Sequence, residues 1–200
     1  MNRRDVSHLP THAFGSTNPL WWGNLAFMVI EGGTMVFAIA TYIYFMVHNK
    51  SWPLEEAPKL EWATTLWIFL IVSEIPNIWV KKAAEKKDLK KVRKGLVIMA
   101  VIGFVAVALR CIEFTTLNTS WDHHSYGSIV WTLLGLHTFH IVTDWGETLV
   151  LTFAMFKGPI DQRRFPEIQD NQDYWHFVVF FWTLVYITIY WLPRWFEVKP

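Results

Sequence analysis

Cysteine is nearly absent from this sequence, and several patterns that define common enzyme classes are absent as well. Cys111 is the only cysteine among 200 residues, which excludes an intrachain disulfide and a thiolate metal cluster. The sequence also lacks phosphate-binding loops, dinucleotide-binding glycine motifs and serine or cysteine nucleophile arrangements. No small-residue cleavage site follows the first apolar block, so we expect a retained membrane span there rather than a signal peptide.

Apolar residues are abundant, and they are concentrated in long blocks. Hydrophobic residues make up 52% of the chain and aromatic residues 17%, including 13 Trp. A helix needs about 20 apolar residues to cross a bilayer core of about 30 Å. Five blocks are long enough, at about residues 20–47, 60–80, 95–115, 128–156 and 174–192. The sequence therefore predicts an all-α integral membrane bundle of five transmembrane helices, forming a single membrane domain over residues 1–200.

The charged and aromatic residues at the helix ends predict how this bundle lies in the membrane. Residues 1–19, 81–94 and 157–173 hold 13 of the 18 Lys and Arg, and eight of these lie in 81–94. Because cytoplasmic loops carry an excess of Lys and Arg, the N-terminus is predicted to be cytoplasmic and the C-terminus external. Tyr174 and Tyr190, at the two ends of the fifth block, are typical of rings at headgroup level. We expect no nucleic-acid partner, because the basic loop has no interleaved aromatic residues and membrane spans flank it.

Ionisable residues inside the spans are the candidate functional positions. His140, Asp144 and Glu147 follow His137 at spacings of three, seven and ten residues, which places all four within an arc of roughly 80° on one helix. An ionisable group in hydrocarbon costs at least about 2.5–3.5 kcal/mol, so this stripe should face protein, water or lipid headgroups. The other candidates are Glu31 in the first span, Arg110 and Glu113 in the third, and His176 at the start of the fifth.

The candidates outside the stripe predict ion pairing and lipid binding. Arg110 and Glu113 lie three residues apart and should pair at the outer interface, where the guanidinium can hold a phosphate. Glu31 lies near the middle of its span, and we expect it to be buried against a neighbouring helix or a lipid cleft. Gly32 and Gly33 would let a helix or lipid chain approach closely. We therefore expect a phospholipid between the first two spans and the last three, with its phosphate near Arg110 or the fourth-span histidines.

The histidine pair also raises the alternative of a metal site in a stand-alone membrane metalloenzyme. His137 and His140 are spaced so that two imidazoles can share an ion, with nearby carboxylates completing the ligand set. Such enzymes normally draw ligands from several helices, often as Glu-x-x-His, and this pattern does not occur in the sequence. We therefore expect no metal, haem or catalytic residue on this chain. Instead, the two imidazoles should hydrogen-bond to Glu31, Glu113 or a neighbouring backbone group.

Four segments resemble subunit III of the haem–copper terminal oxidases, and they occur in the same order along the chain. Residues 27–31, Phe-Met-Val-Ile-Glu, resemble the glutamate-bearing helix of that family. Residues 135–141, Gly-Leu-His-Thr-Phe-His-Ile, resemble its Gly-x-His-Gly-x-His-Val motif. Residues 174–178, Tyr-Trp-His-Phe-Val, resemble its closing Trp-His-Phe-Val-Asp helix, and Glu113 occupies the position of a late glutamate. The sequence departs from the pattern at Thr138, which replaces a glycine.

The resemblance implies a five-helix bacterial form that lacks the first two of the seven spans found in the mitochondrial form. It implies a non-redox subunit in the bacterial cytoplasmic (inner) membrane that packs on oxidase subunits I and II, which would carry the haem and copper. A larger respiratory supercomplex is a further implied partner. The family role would be to hold phospholipid in a V-shaped cleft and to support proton uptake and oxygen access in a proton-pumping oxidase of aerobic respiration. Two alternatives stay open: the subunit III-like protein of a nitric oxide reductase system, and the metalloenzyme using His137 and His140.

Overall fold

The chain forms a bundle of long helices joined by short connections. The structure is a computed structural model that describes residues 14–49, 51–54, 56–158 and 164–196, and every regular element in these ranges is helical. The long helices are α1 (Pro19–His48), α2 (Leu60–Glu85), α3 (Leu89–Thr115), α4 (Ser125–Lys157) and α5 (Arg164–Tyr186). A π-helical turn (Ile187–Trp191) continues α5 into the short helix α6 (Leu192–Trp195), and a 3₁₀ turn (Gly15–Thr17) precedes α1. The predicted all-α class is confirmed.

Four of the long helices have the length and composition needed to cross a membrane: α1, α2, α3 and the continuous helix Arg164–Trp195. The fourth predicted span, α4, is also long enough at 33 residues, but its polar stripe lowers its average hydropathy. Its outward-facing side chains are nevertheless apolar, since Phe139, Val150 and Phe153 are 60–68% exposed. Exposed apolar side chains of this kind suit contact with lipid, whereas His137, His140 and Asp144 of the same helix turn towards protein. The molecule is a helical membrane bundle.

The helices extend further into the predicted loops than the hydropathy blocks do. Both α2 and α3 continue into the basic segment 81–94, and only residues 86–88 separate them. The largest difference is in α5, which begins at Arg164 although the sequence predicted a loop from 157 to 173. That prediction is wrong because hydropathy marks where a helix leaves the bilayer, whereas backbone hydrogen bonding continues as long as other protein covers the segment.

The arrangement of the helices differs from the predicted grouping of two spans against three. α2 packs on α3 and α5, and α1 packs on α4 and α5, whereas α1 and α2 do not pack extensively on each other. The predicted lipid cleft between the first two helices and the last three is therefore wrong, because α2 belongs to the same packed unit as α3. Instead, the structure has a gap between α1 and α2, and α5, which packs on both helices, closes one side of this gap.

Two glycines show how closely the helices approach. A Cβ atom at Gly103 in α3 would lie 2.4 Å from Cδ1 of Trp145 in α4. A Cβ atom at Gly32 in α1 would lie 3.0 Å from the Phe181 ring in α5, so the predicted close approach at Gly32 is with a neighbouring helix. Gly33 has nothing within 4 Å of its Cβ position.

The orientation of the bundle relative to the membrane stays a prediction. It depends on the count of basic residues on each side. Five of these basic residues lie outside the described part of the chain, namely Arg3, Arg4, Lys50, Arg163 and Lys199.

Candidate functional site

The polar stripe of α4 turns mostly towards the inside of the bundle. His137 is fully buried, and His140 and Asp144 are 4% and 2% exposed. Glu147, one turn further along, is exposed. The stripe is thus divided between two separate sets of contacts, one around His137 and one around His140 and Asp144.

The first set, which we name the Arg110 cluster, consists of Arg110, Glu113, His137, Trp182 and Tyr190. Arg110 donates from Nη1 to Glu113 Oε2 at 2.7 Å, so the predicted ion pair is confirmed. Its Nη2 donates to Nδ1 of His137 at 2.8 Å, and its guanidinium lies 3.8 Å from the centroid of the Trp182 ring. Tyr190 donates to the other Glu113 oxygen at 2.5 Å. All five side chains are at most 2% exposed, so protein alone supplies these contacts.

The hydrogen bonds of His137 define its protonation. A guanidinium has only donors, so Nδ1 of His137 must accept the bond from Arg110. The proton is then on Nε2, which donates to the backbone carbonyl of Val178 at 3.0 Å. Both ring nitrogens are engaged and the ring is neutral, which leaves no lone pair directed at a metal. The expectation that His137 bonds to a neighbouring backbone group is confirmed.

The predicted role of Arg110 in holding a lipid phosphate is wrong. Its guanidinium is fully buried and already bonds to Glu113 and His137. A phosphate would have to displace both partners and enter the interior of the bundle. The i, i+3 spacing predicted the pairing correctly, but it could not show that α4 and α5 cover the pair.

The second set, which we name the Glu31 cluster, consists of Glu31, His140, Asp144, Asn171 and Tyr174. Tyr174 donates to Glu31 Oε2 at 2.5 Å, and Nε2 of His140 lies 3.4 Å from the same oxygen. One turn along α4, Asp144 accepts a hydrogen bond from Asn171 Nδ2 at 3.3 Å. The expected contact between His140 and Glu31 across the helices is confirmed. The side chain of Glu31 is 13% exposed, so this cluster reaches the edge of the bundle.

His176 takes part in neither cluster. It faces outwards with its side chain 71% exposed, and its Nδ1 lies 3.1 Å from Glu74 Oε2 on α2. Nearby, Lys81 forms an ion pair with Asp173 at 2.5 Å. His176 therefore belongs to a polar seam between α2 and α5.

Several polar residues with central positions were missed or misread in the sequence. Tyr174 and Tyr190 were interpreted as rings at headgroup level, but they are 4% and 0% exposed and donate to the carboxylates of Glu31 and Glu113. Asn171 lies in the segment predicted as a loop. Ser73 accepts a hydrogen bond from the Trp175 indole at 2.9 Å inside the α2–α5 contact. The spacing of Asn171, Tyr174 and Val178 by three and four residues was the available signal, because it puts them on one face of a helix.

Metal ligands do not converge in the described residues. Within residues 14–49, 51–54, 56–158 and 164–196, no three His, Cys, Asp or Glu side chains form a group that can hold an ion. His137 is one of the two histidines for which the sequence suggested a metal site. Its ring nitrogens are already bonded to Arg110 and Val178 and are therefore not free to bind an ion.

These features define the class of the protein: it is a polytopic helical membrane protein whose intramembrane ionisable groups are bonded to one another. The family model described as cytochrome c oxidase subunit III matches residues 7–194. Curated proteins called cytochrome c oxidase subunit 3 are similar at low identity. The one from Artemia franciscana is 23% identical over 201 residues, and the one from Anopheles gambiae is 24% identical over 209 residues. Each alignment covers 94% of this chain and 76% of the relative.

The chain belongs to the cytochrome c oxidase subunit III family. The resemblance seen in the sequence motifs is thereby confirmed. Membership supports the role of a subunit III in a cytochrome c oxidase and implies association with the other oxidase subunits.

Proposed function

We propose that this chain is the accessory, non-redox subunit III of a proton-pumping haem–copper terminal oxidase in a bacterial cytoplasmic membrane. It packs on subunits I and II, which hold the haem and copper, and it forms one membrane domain over residues 1–200. The observation that supports the non-redox role best is the engagement of both His137 ring nitrogens by Arg110 and Val178. A side chain held in this way orients helices and does not bind an electron carrier.

Lipid binding is the second part of the proposal, at a different place from the predicted one. The gap between α1 and α2 is an open groove of about 560 Å³ with α5 as its floor. Trp21, Met28 and Phe180 line its apolar part, and Lys81 and His176 line its polar end. At that polar end Lys81 is paired with Asp173, which also lines the groove. An apolar groove with a polar end of this kind suits an acyl chain with its headgroup. The bound phospholipid would fill the space that α1 and α2 leave between them.

Support of proton uptake and oxygen access is the third part of the proposal. Glu31 lies at the edge of the bundle, where Tyr174 and His140 hold its carboxylate. A carboxylate held there can order the surface against which the catalytic subunit packs. The proposed role is therefore maintenance of turnover, with no chemistry on this chain.

Oxygen consumption over many turnovers tests this role. Complexes without the chain should keep their haem spectra and their initial rate of oxygen reduction, but sustained activity should decline. Glu31→Ala should reproduce part of the decline. Glu147→Ala, which removes an exposed acid that borders the same cluster through Asn171, should do less. Immediate loss of all activity with an intact partner spectrum would contradict the proposal and place chemistry on this chain.

Co-purification identifies the partner. The haem protein that accompanies the chain in mild detergent should be a haem–copper oxidase, alone or within a larger respiratory supercomplex. Recovery with a nitric oxide reductase would instead support the alternative assignment. The orientation is tested separately in sealed membranes. There, Lys87→Cys in a Cys111→Ser background should react with an impermeant thiol reagent only from the cytoplasmic side.

A further inference from the structure

The turn between α2 and α3 forms a basic crevice that takes no part in either buried cluster. We name it the α2–α3 crevice; its volume is about 170 Å³. Its walls are Trp79, Lys82, Ala83, Lys86, Asp88 and Lys91.

The backbone of this turn is held rigidly. At the end of α2, the Asp88 N–H donates to the Ala83 carbonyl at 3.0 Å and the Lys87 N–H donates to the Ala84 carbonyl at 2.9 Å. Lys87 has a φ of 54°, in the left-handed region. Together with the two hydrogen bonds, this conformation forms a Schellman motif, a common way for a helix to end. Asp88 then caps α3 by accepting from the Lys91 N–H at 3.2 Å. Lysines from two helices are thus fixed around one crevice.

The close packing of α2 on α3 supports the same geometry. A Cβ atom at Gly95 would lie 2.3 Å from Cγ2 of Val80 and 3.1 Å from the Trp79 ring. Only a glycine allows the first turns of α3 to approach α2 this closely. The two helices cannot separate at this end without losing that contact, so the crevice is a fixed feature of the hairpin.

The crevice carries an excess of positive charge. The side chains of Lys82, Lys86 and Lys91 are exposed, and Asp88 is the one acidic side chain among the lining residues. Hydrogen bonds from Lys91 hold the pKa of Asp88 below its ordinary value, so the carboxylate is ionised at neutral pH. It pairs with Lys91 at 2.9 Å. Among the residues that the structure describes, Lys82 and Lys86 form no ion pair, and their charges can attract an anion.

The position of the crevice along α2 indicates where that anion comes from. The apolar part of α2 ends at Val80, and the half-buried Trp79 is the kind of amphipathic ring that lies at the level of the lipid headgroups. Lysines just beyond the end of a membrane span attract anionic lipids, at about 1 kcal/mol for each Lys or Arg near the surface. The lysines directly follow the apolar part of α2, and this position favours a lipid headgroup over an acidic protein partner.

We propose that the α2–α3 crevice binds the phosphate headgroup of an anionic phospholipid through Lys82 and Lys86, beside the Lys91–Asp88 ion pair. This site is separate from the α1–α2 groove, and the proposal does not depend on which oxidase the chain accompanies. The lipid would hold the α2–α3 hairpin at the membrane surface.

The test compares two triple variants with the same change in charge. The full chain is purified in mild detergent and mixed with phosphatidylglycerol or phosphatidylcholine of identical acyl chains, and lipid retention is measured by native mass spectrometry. The crevice variant is Lys82→Gln with Lys86→Gln and Lys91→Gln. The control is Lys87→Gln with Lys90→Gln and Lys94→Gln, which removes three lysines of the same segment that do not line the crevice. Addition of inorganic phosphate measures competition by the free anion.

The expected result is a preference of the wild-type chain for phosphatidylglycerol that falls at least about tenfold in the crevice variant and at most about twofold in the control. Equal losses in the two variants would overturn the proposal in favour of diffuse attraction by the whole basic segment. Equal retention of the two lipids by the wild-type chain would overturn it as well. If the triple crevice variant does not fold, Lys86→Gln against Lys90→Gln repeats the comparison.

Discussion

The Arg110 cluster and the Glu31 cluster lie in the same bundle, and both involve α4 and α5, but their charges are balanced differently. In the Arg110 cluster one guanidinium faces one carboxylate, while neutral His137 accepts a hydrogen bond from the guanidinium and neutral Tyr190 donates one to the carboxylate. In the Glu31 cluster two carboxyl groups, Glu31 and Asp144, are held by neutral hydroxyl, amide and imidazole groups. The guanidinium is fully buried, whereas the Glu31 side chain is 13% exposed.

This difference indicates two kinds of role for intramembrane polar groups. A closed, balanced cluster is costly to break, because each charge depends on the other and water cannot replace a lost partner. A cluster that reaches the edge of the bundle tolerates change better, because its groups can rearrange towards headgroups, water or a partner subunit. We therefore assign the Arg110 cluster to holding α3, α4 and α5 together, and the Glu31 cluster to the surface that other subunits and lipid meet.

The largest expected effect comes from Arg110→Ala. This substitution leaves the Glu113 carboxylate buried without its counter-charge, and it should lower the free energy of unfolding by about 3–5 kcal/mol. Tryptophan fluorescence during denaturation of the purified chain in detergent measures it. A double variant, Arg110→Met with Glu113→Leu, removes both charges and should recover much of the loss. If the double variant is no more stable than Arg110→Ala, the cluster is not held by charge balance.

The next largest effect is expected when a carboxyl group in each cluster is replaced by the amide of the same shape. Glu113→Gln keeps an acceptor for Arg110 but removes its counter-charge, so the loss should be about 3 kcal/mol. Asp144→Asn keeps the acceptor for Asn171 and removes a carboxylate that faces no guanidinium or ammonium in the cluster, so the change should stay below about 1 kcal/mol. The same unfolding measurement applies to both variants. Equal losses would show that the two clusters do not differ in the way described.

The smallest effect concerns the two tyrosines. Tyr190→Phe leaves one oxygen of the buried Glu113 carboxylate without a donor, and it should cost about 1–3 kcal/mol. Tyr174→Phe removes a donor from Glu31, which is part-exposed and still has His140 nearby, so its cost should be below about 1 kcal/mol. Both changes delete a single hydroxyl from α5 or its π-helical continuation, which makes each the control for the other. If Tyr174→Phe lowers the free energy of unfolding more than Tyr190→Phe does, the Glu31 cluster, and not the Arg110 cluster, is the one that holds the helices together.

Much of the fold could be predicted from local sequence. The wrong predictions share one cause, which is packing against other parts of the bundle. The starts of α1 and α2 and the end of α3 agree with the apolar blocks to within a residue, because length and hydropathy act on each segment separately. The start of α5 does not agree, because residues 164–173 are polar and become helical against other parts of the bundle. Pairing within one helix, as between Arg110 and Glu113, was likewise predictable from spacing.

The sequence by itself determined that the chain is a helical membrane protein, that its ionisable groups must avoid lipid, and that His137, His140 and Asp144 share a helix face. Only the tertiary structure decided which groups those residues meet. Tyr190 reaches Glu113 across 77 positions of sequence, and Tyr174 reaches Glu31 across 143. Hydropathy and periodicity describe one helix at a time, whereas partners across helices depend on how side chains pack in three dimensions. The burial of Arg110 and the gap between α1 and α2 follow from that packing and could not be read from any single segment.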